Sequence, residues 1–314
     1  MVRVLITGGT GFVGTHLIRF LRARAADVAV LASKCRPATN QGLKYYDVDI
    51  RDADRVRTAV REFTPHHVYH LAGISTVADS RADPRLTYEV NVLGAYNLFE
   101  AAMSLPSPPR ILNISTSQVY AASSAPLTED SPVRPENAYA ASKAMAELVA
   151  MQYRKFSIGG IITARAFNHT GPGQSATFVL PSIARQFAEI QSGKRPPILR
   201  LGNLNVNRDF TDVRDVVRAY AMLLEKGKAG EIYNVCSGNG ISLTVVLDRF
   251  QALAGTKVTI ESDPDKVRSD EISTICGDAA KIRAATGWFP EISLETTILD
   301  LLEHWRTGPA GVNQ

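Results

Sequence analysis

Thr7-Gly-Gly-Thr-Gly-Phe-Val-Gly14 follows directly on the apolar run 2–6 and leads into Leu17 and Leu21, which keep helical spacing with Val13. That order predicts a buried strand, a tight turn and a helix packed on a sheet. Gly8 permits the turn, Gly11 lets the backbone close on a pyrophosphate, and Gly14 lets helix and strand approach. Phe12 and Val13 open a helix whose free N–H groups and positive dipole end face the phosphates. Set between a strand and a helix, the stretch reads as a dinucleotide-binding turn.

The same rhythm continues downstream. Strand-like runs at 28–32, 43–46, 68–71, 110–114 and 160–166 alternate with helical patterns such as 54–63 and 84–103. Such alternation predicts an α/β fold, a Rossmann-type doubly wound parallel sheet with right-handed crossovers. After Gly171-Pro-Gly173 it breaks: helical pieces at 180–192, 213–225 and 243–253 mix with short strand candidates at 198–201 and 257–260. The expected division is a coenzyme domain over 1–170 and a smaller C-terminal α/β substrate domain over 171–314, with part of 212–236 returning to the first sheet.

Composition narrows the function. The 314 residues are 45% hydrophobic, enough for a packed core, and 35 Lys and Arg against 31 Asp and Glu give a net charge of +4. The basic residues are scattered, with no run that would track a nucleic acid, so a small anionic substrate is the better match. Cys35, Cys236 and Cys276 lack metal-ligand spacing, and neither a metal nor a disulfide is expected. The first strand candidate begins at residue 2 without a charged leader, and no apolar stretch approaches membrane-spanning length, so a cytoplasmic location is expected.

A ribose 2′-hydroxyl is usually held by a carboxylate at the tip of the second strand, a 2′-phosphate by cations there. The tip reads Ser33-Lys34-Cys35-Arg36, which offers a hydroxyl and two cations and favours NADP over NAD. Asp49 and Ile50 stand where a carboxylate and an apolar side chain would flank an adenine; alternatively Asp49 and Asp52 open the next helix.

Tyr139 and Lys143 lie one turn apart within the helical stretch 137–156, which sets an ammonium beside a phenol. A neighbouring cation favours the phenolate and is expected to lower the phenol's pKa toward neutrality. Thr116, just past the strand 110–114, stands at the C-terminal edge of the sheet, where open parallel sheets bind ligands.

With the glycine turn, these three residues resemble the extended short-chain dehydrogenase/reductase superfamily, over essentially the whole chain. Val90-Asn91-Val92-Leu93-Gly94 is similar to its fourth-helix motif, and Arg165-Ala-Phe-Asn168 with Gly171-Pro-Gly173 to its sixth-strand motif. The resemblance implies that Tyr139 donates or accepts the proton, that Lys143 holds the nicotinamide ribose, and that Thr116 bonds the reacting oxygen. It also implies that Asn91 supports the site and that Leu71, Ala72 and Gly73 line the coenzyme. Relatives often dimerise through the helices at 84–103 and 137–156, and Ala140, Ala144 and Ala150 would permit close packing there.

The segments 167–179, Arg208-Asp-Phe-Thr-Asp212, Tyr233-Asn-Val235 and Arg268-Ser-Asp-Glu271 resemble the branch that handles GDP-mannose derivatives, its 4-ketoreductases first and its 4,6-dehydratases next. Arg208 and Arg268 can fork onto a diphosphate, unless they pair with neighbouring acids, and Glu271 can accept from a ribose hydroxyl. Ser75, Ser117, Gln118, Asn168, Phe178 and Val179 complete the substrate residues this resemblance implies, and His169 stands near them. The branch's dehydratases carry Glu in place of Gln118; removing the sugar C5 proton needs a group that titrates, and Gln does not. The implied activity is therefore NADPH-dependent reduction of GDP-4-keto-6-deoxy-D-mannose to GDP-D-rhamnose. The competing activities are the dehydratase, a 4-epimerase holding NAD, and a silent NADP sensor on the same fold.

Overall fold

The computed structural model describes residues 1–33, 42–154, 159–263 and 272–308. Its first half runs β1 (Arg3–Thr7), α1 (Phe12–Arg22), β2 (Asp27–Ala32), β3 (Lys44–Asp47), α2 (Ala53–Phe63), β4 (His67–His70), α3 (Val77–Ala82), α4 (Pro84–Tyr88), α5 (Gly94–Met103), β5 (Arg110–Thr116), α6 (Ala138–Met151) and β6 (Gly160–Ala166). Then follow β7 (Asn168–Thr170), α7 (Val179–Gln191), β8 (Ile198–Leu201), β9 (Asn207–Asp212), α8 (Val213–Lys226), β10 (Ile232–Val235), β11 (Gly240–Ser242), α9 (Leu243–Ala254), β12 (Thr259–Ser262), β13 (Thr274–Ile275), α10 (Ala280–Thr286) and α11 (Leu294–Thr307).

Seven strands form one parallel sheet in the order β3-β2-β1-β4-β5-β6-β10. Strands buried on both faces read as apolar runs, as Val4 to Ile6 and Ile161 to Ile162 do. Leu17, Ile18 and Leu21 of α1 and Val216, Tyr220 and Leu224 of α8 cover one face, along with Trp288. Val56 and Val60 of α2, Leu98 and Phe99 of α5, and Ala146 and Ala150 of α6 cover the other. The chain is thus a Rossmann-type α/β fold. Its order reverses at β1, and the crevice beyond the C-terminal ends of β1 and β4 is where such sheets bind ligands.

A third core joins α7, α9 and α11 through Ile183, Phe187, Phe250, Leu301 and Leu302. Beside it, β9 is the middle of a small sheet, antiparallel to β11 and parallel to β13 and β7. The strand expected at 257–260 falls two residues later, as exposed β12 paired with β8.

The single helix expected over 84–103 is instead α4 and α5 joined by a π-helical turn at Glu89–Leu93. A π-turn inserts an extra residue into a helix, and Asn91 lies buried in this one. Helix α6 ends at Met151, short of the expected 156, and β5 extends to include Thr116.

Candidate active site

Gly8 has φ +68°, and a Cβ there would lie 2.7 Å from the amide nitrogen of Ala72. Glycine is therefore required both by the turn and by the loop Leu71–Ala72–Gly73 pressed against it. Thr7 fastens the same loop: its hydroxyl accepts from Ala72 N (3.1 Å) and bonds His70 Nδ1 (2.8 Å). Gly11 is the N-cap of α1 and brings no side chain to the helix end, so Phe12 and Val13 start a helix whose amides face outward. Those uncapped amides, with a turn that admits no Cβ at Gly8, fit a dinucleotide's pyrophosphate.

Ser33 is exposed just past β2. Lys34 and Arg36 lie outside the described residues, as do Arg268 and Glu271. Ile50 turns into the core against Gly94, and the Asp49 carboxylate receives Arg51 through its backbone N–H (2.9 Å) and guanidinium (2.7 Å). The N-cap of α2 is Asp52. A cleft of about 450 Å³ is lined by Asp49, Arg51, Asp52, Glu89 and Leu93.

At the end of β5, three successive residues are tied to α6. Lys143 Nζ donates to Ile114 O (2.9 Å), Ser115 Oγ donates to Glu147 (2.5 Å), and Tyr139 faces Thr116, whose hydroxyl favours its phenolate. Asn137 caps α6 by accepting from Ala140 N (2.9 Å). Asn91 reaches in from the π-turn, accepting from Ile74 N (2.8 Å) and donating to Ile74 O (3.0 Å) and Ser142 Oγ (2.9 Å). A Cβ on Gly73 would stand 2.9 Å from Asn91 Oδ1 and 3.5 Å from Lys143 Nζ. The structure thus brings Gly73, Asn91, Thr116, Tyr139 and Lys143 to one place.

Burial lowers Lys143 to about 8, with Glu147 pulling it back up. Burial raises the Tyr139 phenol, and its bond with Thr116 opposes that. This reverses the lowering expected from an ammonium one turn away: Lys143 is directed to the Ile114 carbonyl, so desolvation dominates the phenol. Buried His70 is held down to about 3, by desolvation first and the Lys143 charge second, and is neutral.

On the substrate side, Ser117 and Gln118 form the short helical turn after β5, and Gln118 N donates to Thr116 Oγ1 (3.3 Å). Ser75 and Asn168 are exposed, Phe178 precedes α7 and is itself exposed, and Val179 is half-buried as the first residue of α7. Arg208 stands on β9 and donates to the carbonyls of Asn207 (2.9 Å) and Ser273 (3.3 Å). Asp209 accepts from Ser237 N (2.8 Å), Gly238 N (3.0 Å) and Gly277 N (3.2 Å), and Asp212 from Arg214 (2.8 Å) and Thr297 (2.8 Å). The Phe12 ring lies parallel to His169 at 6.3 Å and edge-on to His16, whose Nε2 bonds Pro172 O (2.9 Å).

Sequence reasoning missed Thr7, His70, Glu147 and Asp209. For Thr7, His70 and Glu147 one signal was available: polar residues in the strands of the main sheet and on the inward face of α6, which burial allows only with partners.

The sequence profile described as GDP-mannose 4,6 dehydratase matches residues 5–301. GDP-6-deoxy-D-mannose reductase of Pseudomonas aeruginosa is 34% identical over 308 residues, 97% of this chain and 97% of that protein. GDP-mannose 4,6-dehydratase of Vibrio cholerae is 27% identical, over 96% of this chain and 92% of that one. Among solved structures, RMD from Pseudomonas aeruginosa complexed with NADPH superposes with a TM-score of 0.87 at 34% identity, covering 98% of this chain and 99% of that one.

Proposed function

The chain belongs to the GDP-mannose 4,6-dehydratase family, and within it we propose an NADPH-dependent 4-ketoreductase that converts GDP-4-keto-6-deoxy-D-mannose to GDP-D-rhamnose in the cytoplasm. The observation that carries the choice is Gln118, an amide on the turn whose backbone bonds Thr116, at the place where the resemblance implies an acid in the dehydratases. Similarity to a reductase along the whole chain supports the same choice.

NADPH, when bound, supplies the hydride. Gly8, Gly11, Phe12 and Val13 would hold its pyrophosphate, and Leu71, Ala72, Gly73 and Asn91 would shape the floor beneath it. Ser33, with Lys34 and Arg36, would take the 2′-phosphate. The rest of the chemistry falls to side chains at the end of β5. Tyr139 is a protonated phenol at neutral pH and so holds the proton the ketone oxygen needs, although burial makes it a weaker acid than a free phenol. Thr116 offers that oxygen a second hydrogen bond as negative charge develops. Lys143, charged at neutral pH, favours the phenolate left after transfer and so holds down the cost of the step.

Asn168, Phe178, Val179 and Arg208 would receive the GDP-sugar, with Ser75, Ser117 and Gln118 at the sugar end. We assign the coenzyme to residues 1–170 and the nucleotide sugar to 171–314.

We propose that a second copy docks on exposed apolar side chains of α5 and α6. Leu93 and Tyr96, at the start of α5, are 56% and 43% exposed, and Met145 and Leu148 on α6 are 45% and 64% exposed. Ala140 and Ala150 are buried in their own subunit and Ala144 is half-buried, so the dimer contact proposed here would fall to these longer apolar side chains rather than to the alanines.

Incubation of GDP-4-keto-6-deoxy-D-mannose with NADPH should consume coenzyme mole for mole and yield GDP-D-rhamnose by NMR. Conversion of GDP-mannose to the keto sugar without added NADPH would overturn the assignment in favour of the dehydratase.

A further inference from the structure

Beneath Tyr139 and Lys143 lies a buried ion pair that the reduction itself does not use. Glu147, one turn beyond Lys143, takes Arg165 at two points, Nε to Oε1 at 3.0 Å and Nη2 to Oε2 at 2.7 Å. The two side chains are 6% and 4% exposed. Arg165 also donates to Glu129 O (3.2 Å) and lies over the Tyr120 ring at 4.6 Å, so it is fixed from three sides. A buried pair of this kind is weak as a source of stability, since apolar residues of similar volume commonly do as well.

Its placement points elsewhere. Ile114, Ser115 and Thr116 are consecutive, and each meets a different residue of α6: Lys143, Glu147 and Tyr139 in turn. The middle bond carries the charge, and Arg165 anchors it to β6. We propose that Glu147, gripped by Arg165, is the positioning residue of this site, fixing the Lys143 ammonium and the end of β5 in the arrangement proton donation requires. The inference rests on the roles given above to Tyr139 and Lys143.

The groups around the ammonium leave that task to Glu147. His70 from β4 is neutral, Tyr139 and its neighbour Tyr220 from α8 are protonated phenols, and Arg165 from β6 is a cation held against the carboxylate. Glu147 is the acid that favours the charged lysine.

Glu147→Gln alone strands the Arg165 guanidinium and risks unfolding, so the balanced change is Glu147→Gln with Arg165→Met. In that protein the titration midpoint of Lys143, read from its Cε carbon by NMR without coenzyme or substrate, should fall by about one pH unit. Glu147→Asp keeps both charges but withdraws the carboxylate by one methylene from Ser115 and Arg165. It should lower kcat about tenfold while coenzyme affinity stays as it is. An unmoved Lys143 midpoint in the folded double variant, or wild-type kcat in Glu147→Asp, would reduce Glu147 to a structural residue. The NMR titration needs no sugar, so failure of the wild type to reduce the keto sugar would sink the substrate assignment and leave this test standing.

Discussion

The C-terminal edge of the main sheet and the small sheet around β9 both bury acids, and they use them for different ends. On the main sheet Glu147 faces a guanidinium and the side chains proposed for catalysis, while long apolar strands hold the backbone. Around β9 the acids hold the backbone themselves. Asp209 gathers the amides of Ser237, Gly238 and Gly277, and Asp215, on α8, gathers those of Glu291 and Ile292. Strands β7 and β11 are three residues long and β13 two, and they bury too little apolar surface to fix their loops. Carboxylates that accept several N–H bonds make up the difference.

Two substitutions should therefore fail in opposite ways. Tyr139→Phe should lower kcat by about 10²- to 10⁴-fold while coenzyme binding and thermal unfolding stay at wild-type values. Asp209→Ala takes the acceptor from the amides of Ser237, Gly238 and Gly277 around a buried position. It should cost about 3 kcal/mol of stability in denaturant unfolding. A stable Asp209→Ala protein would erase the contrast between the two regions.

How far the sequence could carry this picture follows the same divide. Tyr139 and Lys143 were legible because both lie on one helix, where spacing alone sets neighbours. The glycine turn and the apolar strands were legible because their patterns are local. What Lys143 bonds was not: its partner, the Ile114 carbonyl, belongs to another element, so the phenol's pKa moved opposite to expectation. The π-turn that holds Asn91 has no composition of its own; Pro84 at the first position of α4 and apolar residues beyond it read as one ordinary helix. Around β9, segments such as Asn168–Thr170 and Gly240–Ser242 are too short and too polar to show a period of two, and that sheet escaped the sequence altogether.

A pH series sharpens the comparison on the main-sheet side. His70 titrates at about 3 in the native chain against an ordinary 6.5, so between those values the unfolded chain binds the extra proton. Stability therefore rises with pH across that window and is lost on acidification, by about 1.4 kcal/mol per unit. Going from pH 7 to pH 5 should remove about 2 kcal/mol through His70 alone. His70→Asn can still bond Thr7 and should remove that share of the loss, measured by unfolding at both pH values. An unchanged pH dependence would mean that His70 takes up its proton in the native state as readily as in the unfolded one.

The smallest effect is expected where the two regions touch. Phe12 starts the helix that faces the coenzyme phosphates, yet its ring lies parallel to that of His169 on β7, the strand that also carries the substrate residue proposed above, Asn168. Gly171 has no room for a side chain there, since a Cβ would come within 2.7 Å of Val213 and 3.9 Å of the Phe12 ring. The backbone amides of α1 survive Phe12→Ala, so coenzyme affinity should change little. The lost stacking, worth about 1 kcal/mol, should instead raise KM for the keto sugar about fivefold. Steady-state kinetics with each substrate varied in turn separates the two. A change confined to the coenzyme would mean that the contact between Phe12 and His169 carries nothing from one region to the other, and that each half of the crevice is set by its own scaffold.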